Sequence, residues 1–273
     1  MTRMISIHSS RGGTGKSLIA SNLAAILASR GLNVALLDFD FRAPSLVTIF
    51  QEEKGSQRYM NDYIDGKAKL GEVMVAISER LGCGSTLRVG FADVELDAMR
   101  EIARKDRKWQ TRALEKVLYL KQELSDLMDA SLILIDTSPG IQYSSVNAVV
   151  GSDLSMIIAA MYILDLEGSQ RMYRALYQPF EKKALIVIKK AMPHDIFGES
   201  KNALIEDVLD RFSQPPLAII TCFFDILLSQ RASLFVRDKP EHPFTWALNE
   251  IALRIEKIIQ KWSPIPVRNQ GLV

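Results

Sequence analysis

Cysteine is scarce: Cys83 and Cys222 are the only two in 273 residues, far apart and outside any C-x-x-C spacing. Their placement argues against a disulfide framework and against a cysteine-rich metal site. Long hydrophobic runs are missing as well, and the longest, Met156 to Leu164, is too short to cross a bilayer. Charge of one sign is also lacking. The 34 Lys and Arg against 32 Asp and Glu leave a formal +2, so no strong overall field draws the chain onto nucleic acid or an anionic membrane. Stretches rich in Gly, Pro or Ser, internal repeats and low-complexity tracts are absent, which favours one domain over residues 1–273. The glycine-rich turn at Gly12 comes so early that it leaves no room for a removable signal. A cytoplasmic location is expected, with peripheral contact at a membrane or nucleoid as the alternative.

The 48% of apolar residues suffices for a sizeable core, and their pattern shows how it is built. The run around Ile5 and Ile7 enters the glycine turn, and Ser17 to Ser29 then carries Leu18, Leu23, Ala24 and Leu27 at helical spacing before Arg30-Gly31 closes it. Asn33 to Asp38 is an unbroken apolar run ending on an acid, as expected of a parallel strand buried on both faces. Leu87 to Phe91, Ser131 to Asp136, Leu154 to Ala160, Ala184 to Lys189 and, more weakly, Leu217 to Thr221 repeat it. Helical patterns over Trp109 to Met128, Leu166 to Tyr177, Asn202 to Phe212 and Trp246 to Trp262 separate most of these runs. The expected fold is α/β: three layers, with a mostly parallel central sheet and helices on both faces. Gln51 to Gly84 reads as helical excursions on the rim rather than sheet. The wider segment 51–112 is a candidate partner-binding excursion, and 263–273 a short tail.

The stretch Ser9 to Ser17, SSRGGTGKS, departs from the phosphate-loop pattern G-x-x-x-x-G-K-[ST] by placing Ser10 where a glycine is called for. Its position between a strand and a helix is nevertheless the one a phosphate site needs. Backbone N–H groups around Gly12, Gly13, Thr14 and Gly15 and at the helix start through Leu18 face a phosphate, Lys16 meets its terminal charge, and the Ser17 hydroxyl suits magnesium. Asp136 ends its strand at the edge where such sheets bind ligands, placed to hold magnesium through water. Asp38 and Asp40 stand one residue apart at another strand end. If the first closes the strand, the second enters the loop and faces the γ-phosphate.

The combination RGGTGKS, DFDFRAPSL and DTSPG resembles the deviant-Walker ATPases of the MinD and ParA class, with archaeal MinD-like proteins nearest in character. The resemblance implies ATP and Mg2+ as cofactors, hydrolysis of ATP, and a homodimer that closes face to face around two ATP molecules. In that class an early loop lysine reaches the partner's phosphates, and here Arg11 takes its place. Lys16 and Ser17 would then cradle phosphate and magnesium, and Asp40 would be the acid associated with magnesium and the attacking water. Asp136 would be the Walker B acid, and Asp38 the first acid of the DxD pair. Asp165 falls where an acid commonly contacts the signature lysine. Arg11 keeps the charge but exchanges a compact ammonium for a planar fork. Lys189-Lys190 stand where an adenine-recognising asparagine is common, and Cys222-Phe223-Phe224-Asp225 replaces a proline-centred turn. ATP follows from the resemblance, with GTP left open.

Three uses of such hydrolysis compete. One is spatial positioning or partitioning of a cellular component, with an activating or cargo protein unidentified. Another is metal insertion or protein targeting, disfavoured by the missing C-x-x-C pair and the lack of a long Met-rich helix. The third is a metabolic P-loop ligase or kinase, for which no separate substrate signature is found. The apolar stripe of Trp246 to Trp262 fits a membrane-surface helix, but core packing explains it better. The basic run Arg100, Arg104, Lys105, Arg107, Lys108 and Arg112 would suit nonspecific DNA. Glu101 and Asp106 interrupt it, and an ion-paired, solvated helix ranks first.

Overall fold

The computed structural model describes residues 1–52, 58–223 and 234–261. Its centre is an eight-stranded sheet in the order β3-β4-β2-β5-β1-β6-β7-β8. The strands are β1 (Arg3–His8), β2 (Val34–Phe39), β3 (Met74–Ala76), β4 (Leu87–Gly90), β5 (Leu132–Thr137), β6 (Leu154–Ala160), β7 (Ala184–Ala191) and β8 (Ala218–Thr221). All neighbours pair in parallel except β3, which is antiparallel to β4. Burial on both faces explains why β2, β5 and β6 are apolar almost without interruption.

Alternation along each strand divides the core into layers. On β2, Leu36 joins the cluster that contains the Lys16–Ser29 helix and Leu248, Ile251 and Ile255 of the Pro243–Lys261 helix, while Ala35 and Leu37 face the other side. That opposite side is covered by the Arg107–Met128 helix through Val117, Leu120 and Leu124, and further along by Leu204, Val208 and Phe212 of the Gly198–Phe212 helix. The Lys16–Ser29 helix lies between sheet and Pro243–Lys261 helix and is therefore buried nearly all round. The apolar stripe of the Pro243–Lys261 helix is core packing, with Phe244, Leu248, Ile251 and Ile255 fully enclosed. Trp262, Phe224, Asp225 and the tail 263–273 lie outside the described residues.

Three differences from the sequence reading have local causes. The rim segment is not wholly helical: Met74–Ala76 adds an antiparallel edge strand, too short for an alternation to register. The basic run is broken between the Leu96–Ala103 and Arg107–Met128 helices, because the Asp106 carboxylate accepts the Trp109 N–H at 2.8 Å and starts the second helix. Part of its charge is paired, Lys105 with Asp65 at 2.9 Å and with Glu101 at 2.7 Å. The Tyr143–Gly151 helix has no counterpart among the helices read from the sequence; its short, small-residue pattern gives a weak helical signal.

Candidate functional site

The loop leaves the end of β1, between β5 and β6, at the point where the strand order runs outward in both directions. Ligands of such sheets bind at this edge. Gly15 has φ 87° and ψ 28° and hands the chain to the Lys16–Ser29 helix with no side-chain cap. A side chain is strained in that conformation, and a Cβ there would collide with Lys189 Nζ. The N–H groups of the first turn are thus left for a ligand. Lys16 is buried, Arg11, Gly12 and Gly13 are exposed, and Ser17 and Leu18 are half-buried. Thr14 is buried, and its hydroxyl has no hydrogen-bond partner among the described residues.

Strand register brings the acids together. Asp136 lies beside Ile7 of β1 on one side and beside Asp38 of β2 on the other. Asp136 is fully buried, and neither carboxylate oxygen has a hydrogen-bond partner among the described residues. Such an orphan is costly without a cation or a proton. Burial accordingly pushes its pKa up to about 7, with Ser17 and the Lys16 charge pulling the other way and Asp40 adding to the rise. Asp38 is held well above the usual carboxylate range by burial first and the neighbouring Asp136 charge second.

The two acids of the pair at the end of β2 are used differently. The Asp38 carboxylate accepts the Asp40 N–H at 3.0 Å and the Leu46 N–H at 3.4 Å, so it shapes the turn after β2. Asp40, in that turn, accepts from the Ser138 hydroxyl at 2.9 Å and from the Ala43 N–H at 3.2 Å. Ser138 thereby links the turn after β2 to the turn after β5. Asp165 is likewise engaged: it accepts the Ser10 hydroxyl at 3.2 Å and the Ala160 N–H at 2.5 Å. Ser10, the residue in the missing glycine's place, also meets Ser169 at 3.0 Å. Asp165 therefore braces the loop from beneath through Ser10, while Arg11 stays exposed with its Nε 3.8 Å from a Cβ built on Gly168.

His8 is a structural participant that sequence reading passed over. It is the last residue of β1, fully buried, and its Nε2–H donates to the Gly140 carbonyl at 2.9 Å while Nδ1 accepts from Tyr177 Oη at 2.8 Å. Its partners lie 132 and 169 residues away, a pairing without a local signal. Burial lowers its pKa to about 4. The folded protein thus binds no proton here until about pH 4, whereas an unfolded His8 titrates near 6.5, so this contribution to stability falls as pH drops through 6.5. By pH 5 the loss relative to pH 7 is about 2 kcal/mol. Asp136, with its raised pKa, acts in the opposite sense over the same range. The readout is therefore a difference: in urea titrations at pH 7 and pH 5, wild type should lose about 2 kcal/mol more than His8→Gln. Parallel losses would contradict a neutral buried imidazole.

The donor set fits a magnesium–nucleotide: an uncapped helix start, a buried lysine, a hydroxyl and an unpaired buried carboxylate meet at one sheet edge. A family model described as NUBPL iron-transfer P-loop NTPase, of the ParA group, matches residues 1–78. An uncharacterized ATP-binding protein of Methanocaldococcus jannaschii is 30% identical over 202 residues, which cover 74% of this chain and 64% of that protein. The septum site-determining protein MinD of Bacillus subtilis is 22% identical over 93% of this chain and 89% of its own length. In fold, the chain is similar to MinD of Pyrococcus horikoshii, solved with Mg-ADP, at a TM-score of 0.73 and 22% identity, covering 97% of this chain and all of that one. With its mostly parallel sheet, its loop between β1 and the first helix and these sequence matches, the chain is similar to the MinD/ParA class of P-loop NTPases.

Proposed function

We propose that the protein is a magnesium-dependent ATPase that dimerises on ATP and uses hydrolysis to switch its hold on a partner, in the positioning or partitioning of a cellular component. The observation that carries the nucleotide reading is the unpaired, buried Asp136 carboxylate set in register beside the strand that feeds Lys16 and the uncapped helix. Bound magnesium would neutralise phosphate charge that builds up during γ-phosphoryl transfer. Lys16 and the loop N–H groups would hold the phosphates, Ser17 and Asp136 would hold the ion, and Asp40, in the turn after β2, would orient the attacking water. The Ser138 hydroxyl, donating to Asp40 at 2.9 Å, ties the turn after β5 to the turn after β2.

Dimerisation is supported by what surrounds the loop. Ile141 and Tyr143 follow the β5 turn, and Tyr162, Ile163 and Leu164 follow β6; all five are exposed large hydrophobic residues. Together with the exposed Arg11 they give the nucleotide edge an apolar rim around a cation, suited to a second copy of the chain. Asp40→Ala should slow hydrolysis at least about tenfold while leaving nucleotide bound, and should accumulate a dimer on ATP. Light scattering with saturating ATP and Mg2+ that finds only monomer would count against this cycle.

Iron–sulfur or metal transfer is the second reading, favoured by the name of the family model matched over residues 1–78. Within one chain the cysteines do not pair up: Cys83 accepts from Ser29 at the far end of the first helix, while Cys222 follows β8 at the nucleotide edge. Anaerobic reconstitution with iron and sulfide decides between the two, since a stoichiometric cluster lost in Cys222→Ser would favour transfer over positioning.

A further inference from the structure

A chain of buried polar groups runs from the core beneath the nucleotide edge up to the turn after β5. The Ser6 and Ser155 hydroxyls meet at 2.6 Å between β1 and β6, and Ser155 hydrogen-bonds the Tyr177 oxygen. Tyr177 Oη lies 2.8 Å from His8 Nδ1, and His8 Nε2 lies 2.9 Å from the Gly140 carbonyl. None of these four side chains is more than 1% exposed. Apolar residues would fill the same space without desolvation cost, whereas a satisfied polar chain fixes one arrangement of its members.

The direction of the chain follows from its last member. A carbonyl oxygen only accepts, so the proton of the neutral His8 ring is on Nε2, and Nδ1 must accept from Tyr177. Without that hydroxyl, His8 is free to carry its proton on Nδ1 and to turn an acceptor toward the Gly140 carbonyl. Tyr177 therefore sets the tautomer. The backbone around it is unusual: the Ile163–Met172 helix runs into a π turn over Tyr173–Tyr177, where the Gln178 N–H reaches back to the Tyr173 carbonyl at 3.1 Å. Turns of this kind re-aim side chains and recur at functional sites. The same helix holds the loop through Asp165 and Ser169, which both meet Ser10.

Gly140 stands at the other end. Its carbonyl accepts from His8 and from the Ser145 hydroxyl at 2.7 Å, and its N–H donates to the Ser9 carbonyl at 2.8 Å. Two residues earlier in the same turn, Ser138 donates to Asp40. Where Gly140 is pinned thus limits where Ser138, and with it Asp40, can point. We propose that His8 and Tyr177 are positioning residues for hydrolysis: Tyr177 fixes the tautomer in which His8 pins Gly140, and the pinned turn keeps Ser138 and Asp40 aimed at the attacking water. This rests on the assignment of Asp40 to that water and extends it to the groups that hold Asp40 in place.

Tyr177→Phe removes one oxygen and keeps the ring. At saturating ATP and Mg2+ its kcat should fall about tenfold, with the Kd for a fluorescent ATP analogue unchanged. His8→Leu should cost about as much, and the double variant no more than either alone, because each breaks the same chain. His8→Gln offers an amide N–H to Gly140 and an amide oxygen to Tyr177, so it should keep most of the wild-type rate. Nitrogen NMR adds a readout that a merely structural role would not move. The chain has 3 histidines, and His8 is identified by the signal lost in His8→Gln. Its proton should lie on Nε2 in wild type and be shared between both nitrogens in Tyr177→Phe. Thermal melts without nucleotide establish that the variants fold. Wild-type kcat in folded Tyr177→Phe overturns the proposal, as does a His8→Gln as slow as His8→Leu, or a proton on Nδ1 in wild type. Equal losses of kcat and nucleotide affinity also overturn it, because they point to a distorted loop. If Asp40→Ala itself turns over at the wild-type rate, the assignment of Asp40 fails and the positioning role falls with it.

Discussion

Lys16→Ala should reduce nucleotide hydrolysis by roughly two to three orders of magnitude and remove most magnesium-dependent affinity. The expectation follows from where the side chain lies. Lys16 is buried at the first position of its helix, so its ammonium is held in place before any phosphate arrives. In a water-poor site a charge-assisted bond of this kind is worth far more than on the surface. Its loss leaves the helix start and Ser17 facing several negative charges without a fixed counter-ion. The alanine variant should still fold, because Ile19, Leu23 and Leu27 anchor the same helix in the core. Steady-state phosphate release and equilibrium binding, measured on the same preparation, check both halves of the expectation. Hydrolysis at the wild-type rate in the purified variant would remove the loop from the mechanism.

Arg11 should act on the nucleotide of the opposite subunit. Its side chain is exposed, in contrast to Lys16, and it rises from the loop beside Gly168. An arginine that stabilises charge developing during γ-phosphoryl transfer is worth about three to five orders of magnitude in rate. Arg11→Ala should therefore depress hydrolysis far more than it weakens ATP binding to the monomer, and Arg11→Lys should recover part of the rate by restoring charge without the fork. The decisive preparation is a mixed dimer of wild type with a chain carrying both Arg11→Ala and Lys16→Ala. One pocket then keeps its own Arg11 and Lys16 but receives no arginine from across the interface. Near silence, with nucleotide bound and the dimer intact, is the expected result. Substantial turnover by that mixed dimer would show that Arg11 serves its own chain.

The loop shows what could be read locally. Glycines at 12, 13 and 15 followed by Lys16 and Ser17, placed between an apolar strand and a helix, suit a phosphate seat because φ above zero, taken by Gly13 and Gly15, and free N–H groups are local requirements. The buried strands were legible for a similar reason, since residues enclosed on both faces must be apolar throughout. The edge strand Met74–Ala76 was not, because three residues carry no period and its partner β4 supplies the pairing. The same limit applies to the acids. Asp38, Asp136 and Asp165 all stand near strand ends in the sequence and look alike there, but only long-range register gives each its task.

The sequence by itself determined the chemistry available at the nucleotide edge, because residue type fixes charge, donors and permitted backbone angles wherever the chain goes. The tertiary structure decided how that chemistry is shared out: Asp38 is consumed by the turn at Asp40 and Leu46, Asp165 by Ser10 and Ala160, and Asp136 alone of the three keeps both oxygens unpaired among the described residues. It also drew His8 to Gly140 and Tyr177 and Lys189 to Gly15. These assignments depend on which distant strand ends the sheet order makes neighbours, and a carboxylate or an ammonium acquires its role from what lies within hydrogen-bond reach once the chain has closed.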